Sequence, residues 1–216
     1  MATLHTVVQG EHLSRIAKRY GFTDYRVIWE HSRNAALRSK RNPNVLFPGD
    51  EIFIPDRETR EELRGTDQRH RFVTKGPSLK LRLVVEDLYE RPVAQAPCEL
   101  HVEGQVHRLT TDGRGKIEVD IPPTAEFARL ILKTEETPLE NLAIPLKIGH
   151  LDPVEQVSGQ RARLSNLGYY FAPADAAGGP EEFRLAVEEF QCDHGLRVDG
   201  VCGPQTQGKL KAVHGC

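Results

Sequence analysis

The sequence predicts a multidomain α+β protein: a strand–helix–helix–strand module, a small antiparallel β-sandwich and a three-helix bundle. Three observations predict it. The apolar spacing changes along the chain, with strand and helix patterns mixed over residues 3–54, alternation over 79–148 and helical spacing over 157–213. A nearly all-polar stretch, DRETREELRGTDQRH over 56–70, reads as a charged linker. The 216 residues include only 8 Phe, 5 Tyr and 1 Trp, which suits several small cores better than one large one. The expected boundaries are 1–56, a linker over 57–70, 71–149 and 150–216.

In the first module, Thr3–Val8 reads as a β-rich strand ended by Gly10. Leu13, Ile16, Ala17 and Tyr20 recur at helical spacing, and Gly21 stands where a helix-ending glycine belongs. Val27, Ile28, Ala35, Ala36 and Leu37 predict a second helix, interrupted near Ser32–Asn34. Asn42-Pro43-Asn44 and Pro48-Gly49-Asp50 are turn chemistry, and Ile52–Ile54 form a second strand.

In the middle, Leu79, Leu81, Leu83 and Val85 alternate with Lys80, Arg82 and Val84. Leu100 and Val102, then Ile117, Val119 and Ile121, then Leu130 and Leu132, then Ile144, Leu146 and Ile148 continue the alternation, with a tight turn at Thr111–Gly115. Short strands with turns at such intervals predict a sandwich. The last region is helical: Val157 to Leu167 before Gly168, then Phe183, Ala186, Val187 and Phe190 before Gly195, then Thr206 to Val213.

Residues 1–55 resemble the LysM module, on HTVVQGEHLSRIAKRYG and the close NPNVLFPGDEIFIP. The resemblance implies a shallow groove for N-acetylglucosamine glycans between the loop after the first strand and the loop before the second. It implicates Gly10, Glu11, His12 and Leu13 on one side and Asn44, Val45, Leu46 and Phe47 on the other. Loop amides and carbonyls would bond acetamido and hydroxyl groups, with apolar side chains under the sugar's C–H face. Glu11-His12 departs from the family's usual Asp-Thr or Asp-Ser, and Glu30–Arg41 is longer and more basic than usual and is expected to displace the family's customary asparagine.

The C-terminal region resembles the three-helix peptidoglycan-binding domain, on Leu164, Leu167-Gly168-Tyr169, Ala186–Gln191, Gly195–Gly200 and Gly203–Thr206. Tyr169, Tyr170, Gln191, Arg197 and Asp199 are the wall-contact candidates; Asp199-Gly200 is expected to turn the chain and Thr206 to cap the last helix. Ala174–Pro180 replaces the family's second Asp-Gly turn. The middle region resembles a transthyretin-like or carboxypeptidase-regulatory-like sandwich, on LKLRLVVEDLYERPV and LTTDGRGKIEVDIP. Such sandwiches occur in the spike proteins of contractile injection machines, which implies a spike, baseplate or toxin protein as a partner.

Four cysteines are present. Cys98 reads as a small buried hydrophobe. Cys192, Cys202 and Cys216 crowd the last module beside His194 and His214; they stand either as free thiols or with a disulfide, Cys192–Cys202 or Cys202–Cys216, and although the set could in principle hold zinc, the spacing matches no standard zinc pattern. No metal or cofactor is expected. Neither His-Glu-x-x-His nor Gly-x-Ser-x-Gly occurs, and Glu61/Glu62, Glu181/Glu182 and Glu188/Glu189 are adjacent pairs that diverge on a helix.

The formal net charge of −2 removes the electrostatic case for nucleic acid. Residues 1–57 hold nine Lys/Arg against six Asp/Glu and residues 151–216 the reverse, so the basic surplus lies at the N-terminal end. The opening MATLHTVVQGEHL has neither a basic nor an apolar signal region, so synthesis in the cytoplasm and carriage to the wall or periplasm by a specialised system are expected. No apolar run approaches the ~20 residues of a membrane span. The expected function is non-catalytic binding of bacterial peptidoglycan; the alternatives are an adaptor of a phage-tail-like or type VI secretion machine and a wall-degrading effector.

Overall fold

The computed structural model describes residues 2–57, 63, 65–70, 79–87, 89, 91–133, 143–170 and 179–216. The chain divides into two compact units, Met1–His150 and Leu151–Cys216. Residues 58–62 and 64 of the charged stretch and 174–178 of the Ala174–Pro180 segment lie outside the described residues.

The first unit opens with a two-stranded antiparallel ladder, β1 (Thr3–Thr6) against β2 (Glu51–Ile54), with Thr3 opposite Ile54 and Thr6 opposite Glu51. β1 ends earlier than the expected 3–8. Val7 N–H still donates to the Asp50 carbonyl and Gly49 N–H to the Val7 carbonyl, both at 2.9 Å, but the Pro48–Asp50 turn offers no further strand to pair with. α1 (Leu13–Arg19) buries Leu13, Ile16 and Ala17. It ends as its spacing predicts: Gly21 is left-handed at φ 77°, its N–H donates to the Lys18 carbonyl, and Phe22 N–H reaches back to Ala17. The second helical stretch is interrupted where expected, giving α2 (Arg26–Trp29), a 3₁₀ turn at Ser32–Asn34 and α3 (Ala35–Arg38). Val7, Leu13, Ile16, Phe22, Ile28, Leu46, Ile52 and Ile54 form the core of this part.

The same unit continues into two sheets. β3 (Leu79–Val84) pairs antiparallel with β6 (Lys116–Ile121). β4 (Pro97–Val102), β5 (Gln105–Thr110), β7 (Phe127–Leu132) and β8 (Ala143–Lys147) form a four-stranded sheet in the order β5-β4-β7-β8. Leu100, Val102, Ile117, Ile121, Leu130 and Leu132 fill the core between them, and Cys98 joins it at 2% exposure. β5 carries no clear alternation of buried residues, so its sequence does not announce it. Its hairpin is made by Glu103 at φ 45° and Gly104 at φ 77°, two left-handed positions in a row, as a tight primed turn requires.

In the second unit, α4 (Val157–Asn166), α5 (Pro180–Asp193) and α6 (Pro204–His214) surround Val154, Leu164, Ala186, Val187, Phe190 and Leu210. α5 and α6 both begin with proline, whose missing N–H costs nothing in the first turn. The last helix therefore starts at Pro204 with Gly203 as its cap, and Thr206 lies inside it, buried, rather than capping it. Arg163 is also buried, at 1% exposure. Its guanidinium donates to main-chain oxygens of Asp152, Gly159 and Cys216 at 2.8, 2.8 and 2.9 Å, three bonds to backbone.

Candidate functional site

The N-terminal candidates sit on two loops that the chain ties together. The first runs from the end of β1 to α1; the second from α3 to β2. Leu13 N–H donates to the Pro43 carbonyl at 3.3 Å, which joins them. The second loop is built by its own polar residues. Asn42 Oδ1 accepts from Asn44 N–H at 2.9 Å, and Asp50 Oδ2 accepts from Phe47 N–H at 2.8 Å and from Arg41 Nε at 2.9 Å. That geometry leaves Asn44 exposed at the tip and Phe47 half-buried, while Val45 and Leu46 turn inward at 7% and 5% exposure.

The first loop lies deeper. Leu13 is fully buried and belongs to the hydrophobic core, so its side chain supports the loop from beneath. Glu11 is buried as well, and its carboxylate is already occupied. Oε2 accepts from His5 Nε2 at 2.8 Å and from Val8 N–H at 3.0 Å, and Oε1 from Arg19 at 3.2 Å. His5 in turn meets the Tyr20 hydroxyl at 3.1 Å. Burial pushes the Glu11 carboxyl upward, but the Val8 N–H, His5 and Arg19 outweigh it and hold the group below its ordinary range. Glu11 thus closes the loop on itself. His12 is 3% exposed, with neither ring nitrogen hydrogen-bonded, and burial followed by the Arg15 charge lowers it to about 4 despite Glu11 beside it. It is neutral at pH 7.

Sequence reading missed Asn34. This buried amide, 2% exposed, ties the helical stretch to β2, and a lone Asn in a basic segment gives no sign of that role. Phe53, which it grips, also carries the Arg33 guanidinium 4.0 Å from its ring centre, with the His31 ring 4.8 Å away.

In the second unit the Leu196–Gly203 loop is organised around Gln191. Gln191 is 1% exposed. Its Nε2 lies 3.0 Å from Asp199 Oδ1, 3.1 Å from the Val201 carbonyl and 3.0 Å from Thr206 Oγ1. Its Oε1 accepts from Asp199 N–H at 3.0 Å and Gly200 N–H at 3.1 Å. Asp199 Oδ1 also takes Val201 N–H at 3.0 Å, which with Gly200 at φ 68° makes the expected turn. Both polar atoms of Gln191, a wall-contact candidate, are engaged in holding this loop. Asp199 keeps an exposed side chain, and Arg197 projects from the same loop.

Tyr169 is half-buried, edge-on to Phe190 at 5.4 Å and near the His194 ring at 6.4 Å. Tyr170 is buried at 7%, with the Arg161 guanidinium 5.9 Å from its ring centre. The structure thus puts Asp199 and Arg197 on one loop, bonds Asp199 to Gln191 of α5, and sets Tyr169 against α5.

The cysteines stand as thiols. Cys192 is exposed on α5; burial pushes Cys202 up to about 11 and raises Cys216 against the lowering effect of Arg163. Among the described residues no cluster of three or more His, Cys, Asp or Glu side chains could hold a metal ion, and no helix is long and apolar enough to cross a membrane.

Residues 5–55 match the family described as the LysM domain, and residues 154–210 match a peptidoglycan-binding domain family. The resemblances read at the two ends are borne out, and the region between is a β-sandwich. No curated protein and no solved structure matches the chain.

Proposed function

We propose that this chain is a non-catalytic peptidoglycan-binding protein with two wall-binding modules. The observation that carries the reading is the pair of matches, one at each end, to two separate families of wall-binding domain. The groove of the first module would take an N-acetylglucosamine glycan against Asn44 and Phe47, with Gly10 and His12 on the facing loop. The second module would meet wall through Arg197, Asp199 and Tyr169. Two weak sites in one chain raise avidity by ~10²–10⁴ where both engage one sacculus.

The test is co-sedimentation of the full chain with purified sacculi. Wild-type protein is expected in the pellet. Asn44→Ala combined with Phe47→Ala, or Arg197→Ala alone, lowers the pelleted fraction, and all three together lower it more than either set. Absence of the wild-type chain from the pellet overturns the reading.

A second reading has one observation in its favour: Gly10 and His12 are buried. A LysM fold with a covered loop suits an adaptor that docks a spike, baseplate or toxin protein of a contractile injection machine. Co-purification from the native host with such a component supports it, and recovery of the chain alone counts against it.

A further inference from the structure

Two turns of the first unit, far apart in sequence, are fitted to one another. Gly10 and Gly149 are both left-handed, at φ +86° and +78°. A Cβ on Gly10 would lie 2.9 Å from Cε1 of His150. A Cβ on Gly149 would lie 2.8 Å from the Gly10 carbonyl oxygen and 3.0 Å from Cδ2 of His12. Each turn therefore lays a histidine ring where the other turn's glycine leaves room, and no other residue type fits either position without displacement.

The contact extends on both sides. Glu126, at the edge of β7, forms an ion pair with Arg15 of α1. Its carbonyl accepts from Ile148 N–H at 2.8 Å, which binds the second turn to the sheet, and Phe127 stacks on the His150 ring at 5.9 Å. The sandwich thus presents one edge to the loop after β1.

We infer that the Ile148–His150 turn is an intramolecular cover over the Gly10–His12 wall of the glycan groove. The inference rests on the glycan reading of the LysM module. With the turn seated, Gly10 and His12 are shielded and a GlcNAc oligomer reaches only the Asn44–Phe47 wall; with it lifted, both walls are open. The closed state is not a tight one. Both ring nitrogens of His12 and Nε2 of His150 are buried without hydrogen-bond partners, which weakens the seat. The ion pair that helps to hold it is partly exposed, at 30% and 42% for Arg15 and Glu126, and so contributes little. An oligomer that binds the open form better shifts such a balance readily. Because the open fraction divides the intrinsic dissociation constant, loosening the seat tightens apparent binding.

The test uses the full chain in four forms: wild type, Arg15→Glu, Glu126→Arg, and the double charge swap. Two quantities are read: hydrogen exchange at the amides of Gly10–Leu13, and affinity for a GlcNAc hexamer by calorimetry. Each single variant is expected to exchange faster and to bind the hexamer about fivefold more tightly, the scale of one surface ion pair. The double swap returns both readings toward wild type, which a general loss of structure would not do. Unchanged exchange in the single variants overturns the cover, as does hexamer affinity that stays level while exchange rises. Faster exchange, restored by the swap, with no hexamer bound by any of the four forms overturns the glycan reading on which the cover rests.

Discussion

The side chain of Asn34 acts as a strand partner for Phe53. Its Oδ1 accepts from Phe53 N–H and its Nδ2 donates to the Phe53 carbonyl, both at 2.8 Å. The same Nδ2 donates to the Ile28 carbonyl at 2.8 Å, so one amide holds β2 and α2 together. Replacement by Ala leaves buried backbone groups unpaired, and each such group costs about 1–3 kcal/mol. Asn34→Ala is expected to destabilise this module by about 3 kcal/mol. The chain's single tryptophan, Trp29, lies in α2, so the urea midpoint followed by its fluorescence reads that module directly. A midpoint within error of wild type refutes the role given to Asn34.

Gln191 and Arg197 separate stability from recognition in the second unit. Gln191→Ala removes the bonds that shape the Leu196–Gly203 loop and is expected to cost about 2–3 kcal/mol of stability. Arg197 is exposed, and its change to Ala leaves the melting temperature within about a degree while lowering sacculus binding. Calorimetric melting and co-sedimentation of both variants check the pair. Equal melting temperatures for Gln191→Ala and wild type contradict the assignment.

Acid acts on the first unit through His12. Burial, with Arg15 nearby, holds its folded value at about 4, below the ordinary 6.5 of the exposed imidazole. Between those values the unfolded chain takes up a proton that the folded chain refuses, so stability falls as pH falls from about 6.5 to 4. The loss is on the order of 3 kcal/mol. Glu11, held below its ordinary range, adds a further loss in more acid solution. His214 behaves like His12 in the second unit, lowered to about 4 by burial and then by Arg163. Melting temperatures read at Trp29 over pH 4–8 are expected to slope down toward acid, and His12→Gln flattens the slope. An equal slope in that variant refutes it.

The thiols differ in reactivity. Cys98 is 2% exposed and raised by burial, Cys202 is raised to about 11, and Cys216 is raised as well, whereas Cys192 lies exposed on α5. A thiol reacts as its thiolate. Brief iodoacetamide treatment at pH 8 is expected to add one group at Cys192, removed in Cys192→Ser, as read by peptide mass. First modification at Cys98 or Cys202 would contradict the burial that raises them.

What the sequence made legible was what periodic burial writes into it. Leu13, Ile16 and Ala17 announce α1, Gly21 ends it, and Phe183, Ala186, Val187 and Phe190 announce α5, because a helix in contact with a core must repeat its apolar residues. β5 escaped because its half-exposed strand has little to alternate, and its turn is carried by Glu103-Gly104 rather than the more telling Asn-Gly. The site was legible as loops and not as surfaces. Glu11, in the first loop, and Gln191, on α5 beside the second unit's loop, both face inward and bond nearby backbone, a direction that no local pattern encodes. The meeting of Gly10 with Gly149 joins positions separated by two sheets of intervening chain, and only the folded molecule places them together.

Arg163 gives the second unit a further property. By holding main-chain oxygens of both Asp152 and Cys216, one guanidinium brings the unit's entry and exit to the same spot. A segment whose two ends coincide can be spliced into a host loop, or rejoined end to end and reopened elsewhere, with little closure entropy to overcome. Lysine cannot replace Arg163, having no planar fork with which to reach three main-chain oxygens at once.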